Sequence, residues 1–292
     1  MACAAQFAAD EAEAENPERF RILLRILSQV EVGRKPPSYF HSPSIYIMKR
    51  LILLTFLLCV SSVFSEEAAP VARAFEPPPL TAPTAVDYPA LVAKIAAARD
   101  ETGERLRRQG ESVKLLTDAR LLYCRSFVEL AAQWMGTGWD FNGITQKPRE
   151  GKIACGYFVT TLLRDAGFDV ERSRLGQQAS EIIAKTMTTR EFIRSRSEEP
   201  LDAFVSACRK HQPGVYLVGL DFHTGYLVND GTELWFVHSA YGKSAQYVLV
   251  EKAGESAYLL HSKYRQVAFL TEDKGFVLGW LTGKKWVTAG GR

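Results

Sequence analysis

The chain lacks the marks of several large protein classes. Its 36 Lys and Arg are nearly balanced by 33 Asp and Glu, for a formal net charge of +3, so there is no dense basic face of the kind a polynucleotide reader needs. No run of about 20 apolar residues occurs, and the longest, Leu51 to Phe64, has 14, too few to span hydrocarbon. There is no Gly-rich phosphate loop, since the GTG at 136–138 is too short to make one. The spacings C-x-x-C and H-x-x-x-H are also missing, which argues against a zinc site built from Cys155, His223, His238 and Asp221. No cofactor is implied. What remains is ordinary: 292 residues, 47% hydrophobic, 24% charged and 11% aromatic, enough to bury a core and too regular for wholesale disorder.

The front of the chain reads as an address. From Met48 a basic MKR, an apolar LILLTFLLCV and a small-residue SSVFS make a secretory signal with cleavage expected after Ser65. Cys59 follows Leu58 rather than a small residue, so no lipid anchor is read. A signal works only at an N-terminus, and translation is therefore expected to start at Met48, with residues 1–47 a non-native or cytosolic extension. The mature protein is expected to be secreted or periplasmic, without stable membrane insertion. Residues 66–89 carry six prolines and read as an extended, poorly ordered linker. The folded domain is expected over 90–292.

Within that domain, apolar spacing predicts two helices around Leu91 to Ala98 and Leu121 to Ala131, then a loop, then a helix from Cys155 to Ala166 closed by Gly167. Further helices are expected near 176–187 and 200–211, and a short one in ESAYLLHSKY. After Pro213-Gly214 come strand-like runs: VYLVGL, HTGYLV, ELWFVHSA, YVLVEK, RQVAFL and FVLGWL, the last lying in the apolar run Phe276 to Trp286. Helices first and antiparallel strands second define an α+β class.

Three cysteines lie beyond the signal: Cys124, Cys155 and Cys208. Cys124 and Cys208 sit inside helical patterns and are expected as packed thiols, narrowly ahead of a disulfide. Cys155 opens a helix, where unpaired N–H groups and the helix dipole favour a thiolate and arm the sulfur. Asp230-Gly231 is a favoured two-residue hairpin turn, and that register sets His223 directly opposite His238 on one face. A thiol, a base and a group that orients the base are the components of nucleophilic amide hydrolysis. Asp221 is the alternative orienting group. His211 and His261 are expected to be structural.

These residues resemble the NlpC-type cell-wall peptidases, which are papain-like cysteine hydrolases. The resemblance covers roughly residues 130–270 and rests on order: Trp139-Asp-Phe-Asn-Gly143, Ala154-Cys155-Gly156-Tyr157 with its helix, Pro213-Gly214, His223-Thr-Gly-Tyr-Leu-Val228 and Val237-His238-Ser239. It implies a papain-like fold with N-terminal helices on a C-terminal antiparallel sheet. It also implies Cys155 as nucleophile, His223 as general base and acid, and His238 as the orienting residue. Trp139, Phe141, Gly156, Tyr157 and Asp221 are the expected substrate-binding residues, and peptidoglycan-derived or other peptides the expected substrates. Ala154 and Gly156 stand where the family has Asp and Ser, which removes groups that hold a free substrate amine. The alternative is a catalytically inactive module of the same fold that binds wall glycopeptides.

Overall fold

The computed structural model describes residues 73–290 apart from 82, 84–86 and 244. The expected extension at 1–47 and leader at 48–65 lie outside the described residues. Among the described residues no helix is long and apolar enough to cross a membrane.

Two long helices open the body. Helix α1 (Tyr88–Gln109) starts at Asp87, whose carboxylate accepts from Ala90 N–H, and α2 (Val113–Trp134) starts at Ser112, which caps Leu115 N–H. Between them Gly110 takes φ +73° and ends α1. Helix α3 (Cys155–Asp165) follows a loop and leads to strand β1 (Asp169–Val170), α4 (Arg172–Gly176), α5 (Ser180–Met187), β2 (Ile193–Ser197) and α6 (Leu201–Arg209). The remainder is β3 (Gly214–Leu220), β4 (Thr224–Asn229), β5 (Leu234–Ser239), β6 (Val248–Lys252), α7 (Ala257–His261), β7 (Tyr264–Ala268), α8 (Lys274–Thr282) and β8 (Lys285–Trp286).

Six strands form one antiparallel sheet in the order β2-β7-β3-β4-β5-β6, while β1 and β8 make a separate parallel pair. The α+β class, helices first and antiparallel sheet second, is as the sequence implies. Every residue of β3, β4 and β5 is buried, because both faces of the sheet are covered. On one side Val215, Leu217, Tyr226, Val228, Val237 and Val250 share a core with α2, α3 and α5, and α1 and α8 pack on α2. On the other, Tyr216, Val218, Leu227, Phe236 and Val267 pack against Phe204 of α6 and Leu259 of α7.

Several expectations change. The run FVLGWL is helical, within α8: Phe276, Val277, Trp280 and Leu281 are buried at helical spacing, Asp273 caps the start and Gly283 ends it in the left-handed region. The expected helix at 176–187 begins later, as α5 from Ser180, and the short α4 ahead of it has no counterpart among the expected helices. Strand β2 has no counterpart among the expected strands, because four of its five residues are exposed and it carries no apolar alternation. Arg194 and Arg196 instead leave a charged outer edge that resists pairing with other chains. The proline-rich stretch is tied down in part. Phe75 is 5% exposed within the main core and Ala74 N–H donates to Asp230 O at 2.8 Å, so the packed body begins before α1.

The β4–β5 hairpin also differs. Its register sets Tyr226 opposite Val237 and Asn229 opposite Leu234, two residues from the expected pairing. The turn spans Asp230 to Glu233 because the buried Asp230 carboxylate collects it. Its Oδ1 accepts from Thr232 N–H, Thr232 O–H and Glu233 N–H, and its Oδ2 accepts from Trp235 Nε1. Four bonds to an ionised acceptor outweigh the preference of Asp-Gly for a tighter turn. A shift of two preserves the face of every side chain, whereas a shift of one inverts it.

Candidate active site

Cys155 is the first residue of α3. Ala154 before it offers no side-chain cap, and the backbone N–H groups of Thr224, Gly156 and Cys155 itself turn toward the sulfur. The N–H groups favour the thiolate, but burial outweighs them, and the thiol is pushed up from its ordinary range. The helix start therefore does not arm the sulfur on its own, contrary to the sequence expectation. The resting group is a neutral thiol.

His223 and His238 do come together, with His223 Nε2 2.8 Å from His238 Nδ1 and the ring centroids 5.0 Å apart. Because of the changed register they meet diagonally: Gly225 lies beside His238, and His223 reaches past it. A Cβ on Gly225 would stand 2.8 Å from His238 Cβ, Phe236 Cε2 and Val237 O alike. Glycine is what leaves room for the pair. Gly225→Ala is expected to part the imidazoles and cost about 1–3 kcal/mol through overpacking. A wild-type urea midpoint with unchanged histidine NMR signals would contradict this.

The rings are clamped. Phe236 stacks on His238 at 4.0 Å and 11°, and Tyr258 lies edge-on to it at 4.7 Å. Tyr241 and Tyr258 flank His223 at 5.1 and 5.4 Å. Beyond His238, Glu251 of β6 places Oε1 3.2 Å from His238 Nε2. Burial, together with the nearby His238 ring, holds His223 well below the ordinary imidazole range. Burial also lowers His238 despite the opposing pull of Glu251. Both are therefore neutral near pH 7. Burial alone would raise the Glu251 carboxyl, but its bonds to His238 and Ser256 win and hold it below its usual value.

Because the unfolded chain takes up protons at these two imidazoles below about pH 6.5 and the folded chain does not, stability is expected to fall as pH drops below 6.5. The slope is at most about 1.4 kcal/mol per pH unit for each histidine. Urea midpoints between pH 7 and pH 5 measure it, in a window above the range where Glu251 titrates. A His238→Gln variant with the wild-type slope would show that His238 does not contribute.

Cys155 and His223 border one cleft of about 780 Å³, whose walls also include Trp139, Phe141, Gly156, Tyr157 and Asp221. All five expected substrate-binding positions therefore share the cleft with the sulfur. The imidazole pair does not face the sulfur squarely. Tyr226 O–H donates to Val159 O and Ser239 O–H to Ile153 O, which places α3 on the Tyr226 and Ser239 side of the sheet. His238, next to Ser239, projects from the opposite side. Of the pair only His223 reaches the cleft that Cys155 borders, beside Thr224 at the start of β4. His223 Nδ1 is buried without a hydrogen-bond partner.

Asp221 is not an orienting group for His223. Its carboxylate accepts from Lys263 N–H, Tyr264 N–H and Ser262 O–H, closing the chain before β7. Tyr157 accepts from Gln177 Nε2 at 2.7 Å, and the Arg172 guanidinium sits 4.9 Å over its ring. Phe141 and Phe222 stand at the mouth, 79% and 90% exposed. A Cβ at position 156 would lie 2.3 Å from Gly176 O. Helix α4 thus passes too close for any side chain there, which gives the physical reason for glycine where the resembled family carries serine. Cys124, Cys155 and Cys208 are free thiols, and burial pushes Cys124 and Cys208 up to about 12. His211 is structural, stacked on Phe269 and bonded to Glu272.

Sequence reading missed Glu251, Tyr241 and Tyr258. Glu251 was findable in principle: once β5 and β6 are paired, it lies opposite Phe236 and hence on the His238 face. The tyrosines come from a loop and a short helix whose placement no spacing gives. Among the described residues no group of three or more His, Cys, Asp or Glu is arranged to hold a metal ion. No family model matches the chain, and no curated protein or solved structure is significantly similar to it.

Proposed function

We propose that the chain is a secreted cysteine hydrolase of papain-like, NlpC-type architecture that cleaves amide bonds, with peptidoglycan-derived peptides as its substrates. The observation that carries the reading is the single cleft bordered both by a sulfur at a helix start and by a neutral imidazole with an unpartnered nitrogen. The order of the cysteine, the two histidines and their flanking residues along the chain supports it.

The chemistry follows from the neutral resting state. As substrate closes the cleft, Cys155 S–H gives its proton to His223 and the sulfur bonds to the carbonyl carbon. The developing oxyanion is met by the Cys155 backbone N–H. His223 then returns the proton to the departing amine as the C–N bond breaks, leaving a thioester. Water attacks that thioester with His223 taking its proton, and Cys155 recovers S–H as the acid leaves. His238 holds the His223 ring throughout. With no charged side chain in the cleft except the already engaged Asp221, selection rests on Trp139, Phe141 and Tyr157 rather than on capture of a free substrate amine.

A second reading is favoured by the raised Cys155 thiol and by the lack of any bond from His223 Nδ1: an inactive module that binds wall glycopeptides in the same cleft. A digest of purified peptidoglycan analysed by mass spectrometry separates the two. The hydrolase reading expects new amine and carboxyl ends, and fragments that bind but are never cut would overturn it.

A further inference from the structure

We propose that Glu251 is a positioning residue: acting through His238, it dictates which nitrogen of His223 carries the proton. The consequence for catalysis rests on the hydrolase reading, while the proton assignment itself stands on the geometry alone.

Each neutral imidazole has one N–H and one lone pair, and which is which follows from what its neighbours can offer. The chain of contacts is anchored at its far end. Glu251 lies 3.2 Å from His238 Nε2. An ionised carboxylate only accepts, so His238 Nε2 must be the N–H. That leaves His238 Nδ1 as a lone pair, 2.8 Å from His223 Nε2, which must then donate. The last atom, His223 Nδ1, is left as a lone pair, and it is the buried ring nitrogen with no partner. The reverse order would set the carboxylate against a lone pair in a site where His238 is 0% exposed, at the full cost of an unsatisfied buried acceptor. Protonating either ring instead is opposed by the burial that keeps both neutral. Phe236, stacked on His238, and Tyr258, against both rings, oppose the ring flips that would reset the order.

The outcome is that a base nitrogen is kept free at His223 by a carboxylate on β6, two strands from β4 in the sheet. A general base is useful only if the nitrogen facing its proton donor is the unprotonated one. In the proposed reaction the carboxylate therefore never touches substrate. It would nevertheless control kcat.

Ring ¹⁵N NMR of the full chain with labelled histidine tests the assignment. Both His223 and His238 are expected as Nε2–H tautomers near neutral pH. In Glu251→Gln the carboxamide can present either its oxygen or its NH₂ to His238, so the chain can run in both directions and an Nδ1–H form of His223 should appear. Glu251→Asp keeps an acceptor-only group and should keep the wild-type pattern. On peptidoglycan fragments Glu251→Gln should lower kcat in proportion to the Nδ1–H fraction that the spectra show, about 2-fold for an even mixture, with KM little changed, since only molecules with the right tautomer carry the base. A wild-type His223 protonated at Nδ1, or spectra unchanged by Glu251→Gln, would overturn the proposal. The expected tautomers in a protein that cuts nothing would support the proton assignment and overturn the hydrolase reading.

Discussion

Cys155→Ala is expected to reduce hydrolysis of peptidoglycan fragments by about 10⁴-fold or more while leaving the fold intact. The magnitude follows from the loss of the only group that can form the thioester, and losses of this order accompany removal of a nucleophile from a cooperating set. Alanine at a helix start costs little, and Ala154 already precedes Cys155 without a side-chain cap. Substrate affinity is expected to persist, because the cleft walls at Trp139, Phe141 and Tyr157 are untouched. The measurement is the rate of new amine ends set beside the affinity of the same fragments. Undiminished cleavage by Cys155→Ala would remove the cysteine from the mechanism, and cleavage absent from the wild type as well would favour the binding module.

Gly156→Ser is expected to be the most damaging small substitution in the site, although it restores the residue of the resembled family. The new Cβ would stand 2.3 Å from Gly176 O, and backbone cannot yield as a flexible side-chain tip can. Gly176 has no slack of its own, since a Cβ placed there would lie 2.8 Å from Thr160 Oγ1. Helix α4 must therefore move away, carrying Gln177 and its bond to Tyr157 out of the cleft wall. The expected cost is about 3 kcal/mol, at the upper end for overpacking, with activity falling further than stability. Urea denaturation and fragment hydrolysis measure the two losses. A serine variant as stable and active as wild type would mean that α4 can be displaced freely.

What the sequence disclosed follows the strength of the local signal. Helix α3 was legible because its apolar stripe has no competing period, and the meeting of His223 with His238 because strand alternation survives an even change in register. The hairpin register itself was not legible, since it depends on Asp230 gathering donors from Thr232, Glu233 and Trp235, a contest that a dipeptide preference does not express. Helix α8 was misread because Phe-Val-Leu-Gly-Trp-Leu suits a buried strand as well as a buried helix. Here the caps at Asp273 and Gly283 decide it. The direction of the Cys155 shift was misjudged for another reason: helix-end electrostatics can be read from position, whereas desolvation depends on what tertiary packing sets around the sulfur.

The anchored stretch ahead of α1 limits where this protein can be shortened. Phe75 fills the same interior as Tyr123 and Trp280, and the N–H of its neighbour Ala74 is fastened to the backbone carbonyl of Asp230, whose carboxylate organises the turn between β4 and β5. A protease or a cloning boundary that stops at the first regular helix would remove an inner aromatic ring and loosen a tether on that turn. The minimal autonomous unit is therefore longer than its secondary structure suggests, and its indispensable margin lies among residues whose composition looks expendable.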